Sequence, residues 1–477
     1  MERYSIFDNF ITHFSNFISM SSNFLYTYFL VFLLIICGLY FTFRTSFIQI
    51  RFLPQVYKIL KEKSQKEHIS PFGALMISTA SRVGIGNIVG VAVAISSGGV
   101  GALFWMWIIA IVGGASAFIE STLAQVYKIR DGEHNYKGGP AYYIQSALGS
   151  RTLGIVFAIS LIACFSYGFN GLQSFTLTST FEYYVGSEVF NNGHIKIFIG
   201  LILSLLTAGF FFGSDKASAI IATILVPIMA IAYLIVAIIV IIMNFSALPN
   251  AFADIFAKAF DFEAIFGGFA GSAMVIGIKR GLFSNEAGMG SAPNAAAAAH
   301  TSHPAKQGMV QTLSVFIDTL IICSASALMV ICSNAEGLDG MQGMPLMQKV
   351  MEGYFGNFGL YFISISVVLF AFTSLIGNHF YAEANFKFIT KNKLALQIFR
   401  ATAVFIVFLG AQISMGLAWD TADVIMGIMA TINIISILLL GKIALKVLKD
   451  YDKQIKEGKN PTFKAADVGI YNTECWK

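Results

Sequence analysis

The scarcest feature of this sequence is charge. Asp, Glu, Lys and Arg make up 12% of its 477 residues, whereas about 25% is usual in soluble proteins. Hydrophobic residues account for 56%. So few charges cannot cover the surface of a water-soluble chain of this length. The composition therefore predicts a polytopic membrane protein that has the lipid bilayer as its main partner.

The sequence also lacks the patterns of common enzymes and metal sites. Its five cysteines include no CxxC pair, and no GxSxG, HExxH or Walker-type phosphate loop occurs. His300 and His303 have a spacing that could bind a metal, but no cysteine or acidic residue is near them in the sequence. We therefore expect neither an enzyme nor a cofactor, and no ATP-driven transport. The net charge of +5 does not indicate nucleic-acid binding.

Apolar runs of about 20 residues, the length that crosses a bilayer, recur along the whole chain. We count eleven. They lie at 24–43, 72–97, 102–127, 153–181, 195–212, 219–243, 265–299, 308–333, 358–389, 396–415 and 422–446. The N-terminus has no basic n-region or small-residue cleavage site, so the first run is predicted to be a retained helix.

Positive charges predict the orientation of these runs, because cytoplasmic loops are enriched in Lys and Arg. Alternate loops hold 26 of the 31 Lys and Arg, with Lys279 and Arg280 counted among them, and the opposite side holds four. This split predicts eleven crossings, an N-terminus outside and a C-terminus in the cytoplasm. The segment Arg51–Lys63 has a basic face and an apolar face and is predicted to lie on the cytoplasmic leaflet.

Two of the apolar runs are interrupted by glycines and polar residues. Residues 79–93 read TASRVGIGNIVGVAV, and residues 269–296 read FAGSAMVIGIKRGLFSNEAGMGSAPNAA. Glycine can serve only close helix packing in membranes, but packing does not require the accompanying Asn, Lys, Arg and Glu. The interrupted runs are the second and the seventh, so each opens a block of five. Because five is odd, the second block is inverted relative to the first, which is typical of transporters whose broken helices bind substrate at the midplane.

This pattern predicts an all-α organisation in seven parts. They are an extracytoplasmic N-terminus (1–23), an extra helix (24–43), a cytoplasmic amphipathic connector (44–71), a first five-helix repeat (72–243), an external loop (244–263), an inverted second repeat (264–446) and a cytoplasmic tail (447–477).

Three sequence blocks resemble those of the alanine or glycine:cation symporters. They read RVGIGNIVGVAVAISSGGVGALFWMW at 82–107, GGPAYYI at 138–144 and GIKRGLFSNEAGMGSAP at 277–293. The resemblance extends from about residue 39 through the last helix. It implies a LeuT-like fold of ten core helices, the second to the eleventh here, with one extra N-terminal helix. It also implies cotransport of a small neutral amino acid with sodium or, less often, with a proton.

The resemblance further implies which residues bind substrate and ion. In the ninth helix of LeuT-like folds adjacent hydroxyls contact sodium, which gives Thr373 and Ser374 here. Hydroxyl and carbonyl oxygens suit such a hard cation. The positions expected to contact the amino acid are Gly84, Ile85, Gly86, Asn87, Gln173, Ile276, Gly277 and Asn378.

Buried charge is the remaining signal. Arg82 and Asp318 each lie ten residues from the start of a helix that enters from the same side, so both are roughly 15 Å deep at a rise of 1.5 Å per residue. We expect a structural ion pair between them, with Glu286 as the other candidate partner of Arg82. The alternative is a role in gating or proton coupling.

The predicted function is sodium-coupled import of a small neutral amino acid by alternating access. The alanine or glycine:cation symporters that this sequence resembles usually carry tryptophan directly after the Ile-Gly pair of the ninth helix, whereas this chain has Asn378 there. That departure makes glutamine a candidate beside alanine and glycine. A proton-coupled carrier is the alternative, and a channel is a weaker one.

Lysine outnumbers arginine and Phe and Ile abound, which indicates an AT-rich bacterial genome and hence an inner membrane. The oligomeric state and the preferred enantiomer stay open.

Overall fold

The computed structural model describes residues 2–62, 68–132, 135–191, 194–213, 215–260, 268 and 271–477. The end of the basic connector and the predicted start of the seventh helix near residue 265 lie outside these ranges. Within them the chain is almost entirely helical. A short antiparallel hairpin pairs β1 (Ile129–Asp131) with β2 (Asn135–Lys137).

Nine helical segments are long and apolar enough to span a bilayer in the described part of the chain, and one broken pair brings the number to ten. The nine are Ile11–Arg44, Ala102–Val126, Arg151–Val185, His194–Phe211, Leu225–Met243, Pro304–Ile331, Asn357–Ile389, Lys393–Gly410 and Met415–Lys456. The broken pair is Pro71–Arg82 with Gly86–Gly98, bent by 56°. Two shorter helices, Ala273–Asn285 and Ala292–Ala298, occupy the place of the predicted seventh run. We number these segments first to eleventh span in chain order.

Shorter helices join the spans. The predicted connector forms Ile48–Arg51 and Leu53–Leu60, with Tyr57 exposed on one face and Val56 buried on another. The remaining connecting helices include Pro140–Leu148, Ser187–Asn191, Leu248–Ala259 and Gly343–Phe355.

The spans differ in what surrounds them. The second half of the third span, from Gly113 to Val126, is buried along its whole length. In contrast, Leu205 of the fifth span and Ile242 of the sixth are 74% and 66% exposed. Large apolar side chains so exposed in helices of this length face lipid, since a soluble protein rarely presents a continuous apolar surface. The polar site must therefore lie in the interior of the bundle.

Several boundaries differ from the sequence prediction. The first helix begins at Glu2 rather than near residue 24, and the last extends over 42 residues to Lys456, since polar residues continue a helix once it leaves the apolar zone. Lys279 and Arg280 were assigned to a loop, but both lie buried inside the helix Ala273–Asn285. The helix continues through them because the neighbouring Gly277 and Gly281 pack against the third span and do not form a turn.

Candidate functional site

The second span breaks at the segment between Arg82 and Gly86. The backbone N–H of Gly84, which loses its helical partner there, donates to Oδ1 of Asn87 at 2.9 Å. Nδ2 of Asn87 donates in turn to Ser284 Oγ at 2.9 Å and to Asp318 Oδ1 at 2.6 Å. Buried backbone groups need such partners, so Asn87 holds the break open and ties it to the seventh and eighth spans.

The seventh span breaks between Asn285 and Ala292. Gly288 and Gly290 have φ of 81° and 92°, a region that glycine enters without steric cost. The N–H of Gly288 donates to Glu120 Oε1 of the third span at 3.2 Å. Pro293 stands at the start of the second half, where a missing N–H costs nothing. The break is thus set by sequence and held by a buried carboxylate.

A cavity lies between the two breaks. The cavity is nearly closed in this conformation, with a volume of about 10 Å³. Residues from both breaks and from the fourth and ninth spans surround it, namely Ser81, Arg82, Gly84, Ile85, Gly86, Phe169, Gln173, Phe283, Glu286, Ser374 and Asn378.

Polar groups that face this cavity lack hydrogen-bond partners among the described residues. They include all three guanidinium nitrogens of Arg82, Oε1 of Gln173 and Oγ of Ser374. All three residues are buried, and a buried polar atom without a partner is costly, at about 1–3 kcal/mol. Such atoms in one cavity indicate a site for a polar ligand.

The ninth span supplies the hydroxyls predicted for sodium. Oγ1 of Thr373 donates to the carbonyl of Phe370 at 3.0 Å, which leaves its acceptor lone pairs available. Ser374 lines the cavity beside Gly84. One turn further on, Nδ2 of Asn378 donates to Oδ1 of Asn170 at 3.1 Å.

Aromatic rings close one side of the cavity. Phe169 and Phe283 line it and contact each other at 4.8 Å between ring centroids, and Phe283 contacts Trp419 at 5.1 Å. The guanidinium of Arg280 lies 4.2 Å from the Trp419 ring and donates to Asp423. The aromatic rings therefore cover the side of the cavity that faces the start of the eleventh span.

Three predicted substrate residues do not line the cavity. Asn87 instead bonds Gly84 and Asp318 across the break. A Cβ on Gly277 would lie 2.3 Å from the carbonyl oxygen of Ala102, so Gly277 allows the seventh span to pack against the third. Ile276 contacts Gly98 on the second span, and like Gly277 it stands more than two turns before the break.

The predicted ion pair of Arg82 with Asp318 is absent from this conformation. Asp318 accepts hydrogen bonds from Asn87, Ser284 and Thr319, while no described residue bonds the Arg82 guanidinium. Equal depth in the membrane fixes the height of a residue but not the face of the helix on which it lies. The break adds a further displacement.

Sequence reasoning missed the pair Arg280 and Asp423 and the role of Glu120. The two members of the pair are 143 residues apart, and no local pattern joins them. A signal was present nonetheless, because an acidic residue inside an apolar run needs a buried partner. Glu120, in the third span, is such a residue.

The C-terminal tail packs against the ends of several spans. Nε1 of Trp476 donates to the carbonyl of Gln125 at 2.7 Å. Nζ of Lys128 lies 5.0 Å from the Trp476 ring and donates to the carbonyl of Ala299 at 2.8 Å. The tail therefore joins the end of the third span to the segment after the seventh.

Together the two broken helices, the occluded polar cavity between them and the surrounding lipid-facing helices define a secondary transporter. The chain belongs to the sodium:alanine symporter family, whose model matches residues 11–465.

Curated relatives match over nearly the full length. The chain is 46% identical over 467 residues to the amino-acid carrier protein AlsT of Bacillus subtilis, covering 97% of this chain and 98% of the relative. It is 42% identical to the probable sodium/glutamine symporter GlnT of the same organism, covering 96% and 95%. It is 34% identical to the sodium/alanine symporter AgcS of Methanococcus maripaludis, covering 94% and 99%.

A solved structure supports the fold. The crystal structure of MhsT in complex with L-phenylalanine matches with a TM-score of 0.55 and 14% identity, covering 81% of this chain and 99% of that chain. At this identity the likeness shows the fold alone, which is the LeuT-like arrangement that the sequence blocks implied.

Proposed function

We propose that this protein imports a small neutral amino acid together with sodium by alternating access. The observation that carries the proposal is the cavity between the two broken helices, where Arg82, Gln173 and Ser374 present polar atoms without partners in the described part of the chain. A zwitterion and a cation could satisfy such atoms. The names of the relatives, which include sodium-coupled carriers of alanine and glutamine, support the same chemistry.

The amino acid would occupy the cavity in a wider conformation, with its carboxylate near the backbone of Ile85 and Gly86, because the N–H of Gly84 already bonds Asn87. Amides freed by a helix break suit an anionic group. Gln173 and Asn378 line the opposite wall, and each carries a side-chain amide that can donate and accept. We assign them to orientation of the substrate.

Sodium would bind between the ninth span and the break of the second. Ser374 Oγ has no hydrogen-bond partner among the described residues, and Thr373 keeps acceptor capacity. Hydroxyls and main-chain carbonyls are the hard oxygen ligands that sodium prefers. Because the ion touches the break, its binding would favour one arrangement of the half-helices over the other.

Proton coupling is the second candidate. Two further relatives are named sodium/proton-dependent alanine carriers, one putatively, at 40% and 36% identity. A channel fits less well, since Phe169, Phe283 and Trp419 close one side of the cavity in the described structure. The charge asymmetry of the loops supports an N-terminus outside and a C-terminus in the cytoplasm. The excess of lysine over arginine supports a bacterial plasma membrane.

The test is uptake into proteoliposomes of purified protein. Labelled alanine, glycine and glutamine are supplied with an inward sodium gradient, with an inward proton gradient, or with neither. Concentrative, saturable uptake that requires sodium is expected. Uptake driven by protons alone would favour the second candidate, and uptake of all three amino acids at equal rates without any gradient would contradict a symporter.

A further inference from the structure

Two opposite charges face the cavity without touching each other. Arg82 is the last residue of the first half of the second span, and Glu286 follows the first half of the seventh. Both line the cavity, and both side chains are buried. No ion pair joins them in the described structure. The two charged side chains therefore border the same small cavity.

Arg82 lacks hydrogen-bond partners among the described residues. Its three guanidinium nitrogens are buried and bond no described residue. The carboxylates of Glu286, Asp318 and Glu120 act on it electrostatically, but Asp318 and Glu120 accept their hydrogen bonds from Asn87 and Ser284, and from Asn433 and the N–H of Gly288, respectively. A buried charge is tolerated only when it is paired and hydrogen-bonded. A carboxylate in the cavity would supply the hydrogen bonds that Arg82 lacks.

Glu286 likewise lacks a cationic hydrogen-bond partner among the described residues. Its backbone, with φ 54° and ψ 18°, is left-handed at the C-terminal end of a helix. The hydroxyl of Ser291 donates to its carboxylate, but that bond brings no positive charge. The negative end of the helix dipole lies at the same point. Carboxylate and dipole together attract a cation.

We propose that the transported zwitterion is held between these two charges, its carboxylate on Arg82 and its ammonium on Glu286. This inference rests on the proposed function and specifies how its site recognises the α-amino acid group. A zwitterion adds no net charge to this cavity, where Asp318 and Glu120 also act on Arg82. An amine or a carboxylic acid would add one buried charge. The two residues thus select α-amino acids irrespective of the side chain.

The contrasting reading is that Arg82 and Glu286 act only on each other, forming a direct pair in another conformation. The two readings differ in one measurable respect. If each residue binds one end of the substrate, neutralising Arg82 should make binding independent of the substrate carboxylate only. Neutralising Glu286 should make binding independent of the ammonium group only. A purely structural pair would weaken all ligands together.

The experiment measures binding by isothermal titration in detergent with saturating sodium. The probes are L-alanine or L-glutamine, whichever binds more tightly, its analogue without the amino group (propionate or glutaramate) and its amide (alaninamide or glutaminamide). In the wild type each analogue should bind at least roughly 100-fold more weakly than the amino acid, as expected when a charged hydrogen bond is lost.

The penalty is the factor by which an analogue binds more weakly than the amino acid. In Glu286→Gln the penalty for losing the amino group should fall below about fivefold, while the penalty for converting the carboxylate to an amide persists. In Arg82→Gln the penalty for the amide should fall below about fivefold, while the penalty for losing the amino group persists. Glu383→Gln, which removes a buried carboxylate of the ninth span that does not line the cavity, is the matched control and should keep both penalties. Should either single variant fail to fold, the doubly neutral Arg82→Gln with Glu286→Gln leaves no orphaned charge and should lose both penalties.

Variants that keep both wild-type penalties would overturn the proposal, as would equal weakening of all three probes. If the wild type binds neither alanine nor glutamine, the proposed function fails instead. The two failures are therefore distinguishable.

Discussion

A Cβ atom on Gly84 would lie 2.5 Å from Oγ of Ser374, so the broken second span and the ninth span meet at the edge of the cavity with no room for a side chain between them. Because this hydroxyl has no hydrogen-bond partner among the described residues, an ion bound to it would also contact the backbone of the break. Movement of either helix would then alter the ion site.

Gly84→Ala should therefore weaken sodium coupling. The added methyl would displace Ser374, and we expect the sodium concentration for half-maximal uptake to rise at least about tenfold, equivalent to ~1.4 kcal/mol. The matched control is Gly209→Ala in the fifth span, where an added Cβ meets no atom within 4 Å. Sodium dependence that stays at the wild-type value in Gly84→Ala would contradict this contact.

Removal of the hydroxyls tests the ion site directly. The double variant Thr373→Ala with Ser374→Ala should raise the half-maximal sodium concentration at least about tenfold, because two oxygen ligands are lost while the volume changes little. Size-exclusion chromatography checks folding. If uptake keeps its sodium dependence, the ion binds elsewhere and the assignment is wrong.

The buried ion pair of Arg280 with Asp423 should lose more stability when the acid is replaced than when the arginine is replaced. Asp423 bonds Arg280 and lies 3.9 Å from Lys279. Asp423→Asn leaves two buried cations with Asp420 as the remaining nearby carboxylate and should destabilise the protein by about 3–5 kcal/mol. Arg280→Gln should cost less, because Lys279 still neutralises Asp423.

The midpoint of thermal unfolding in detergent measures both changes. The double variant Arg280→Gln with Asp423→Asn serves as the control for loss of the guanidinium's contact with Trp419. A larger loss in Arg280→Gln than in Asp423→Asn would mean that Lys279 does not share the pair.

Hydropathy predicted the spans well because the thickness of a bilayer fixes their length. The interval of five between the interrupted runs predicted the two breaks, and the structure has them at Gly84–Gly86 and Glu286–Ser291. Local sequence could not distinguish a glycine that opens a helix from one that packs it. Gly84 borders the cavity, whereas Gly277 only packs against the third span.

Partners distant in sequence were beyond such reasoning. The depth argument paired Arg82 with Asp318, but Asp318 bonds Asn87 and Ser284 instead. Which faces of two helices meet depends on the packing of all the others, so the periodicity of one helix does not determine it. The docking of Trp476 on Gln125 is of the same kind, since it joins residues 351 apart.

The C-terminal tail should be held mainly by Trp476. Its indole is 8% exposed and bonds the carbonyl of Gln125. Trp476→Ala should release the tail, and limited trypsin digestion after Lys459 or Lys464 should become at least about tenfold faster, because cleavage follows the population of the open form. Tyr471→Ala, an aromatic residue of the same tail that is 74% exposed, should leave the rate unchanged. Equal rates in the two variants would place the anchor elsewhere.

Substrate size is the subject of the last prediction. Asn378 lines the cavity and donates to Asn170 at 3.1 Å, so an amide occupies the place where the resemblance to the family led us to expect an indole. An amide in the wall can bond the side chain of glutamine, and a site built to bond such a group rejects analogues that lack it.

Asn378→Trp should therefore reduce glutamine uptake at least about tenfold more than alanine uptake, since the indole fills the space and removes the amide partner. Labelled glutamine and alanine are compared in the same proteoliposomes under one sodium gradient. Phe380→Trp, two residues further along the helix and 48% exposed, controls for the bulk of tryptophan and should change neither rate. Equal loss of both substrates in Asn378→Trp, or a wild type that does not accept glutamine in competition with alanine, would return the specificity to small amino acids.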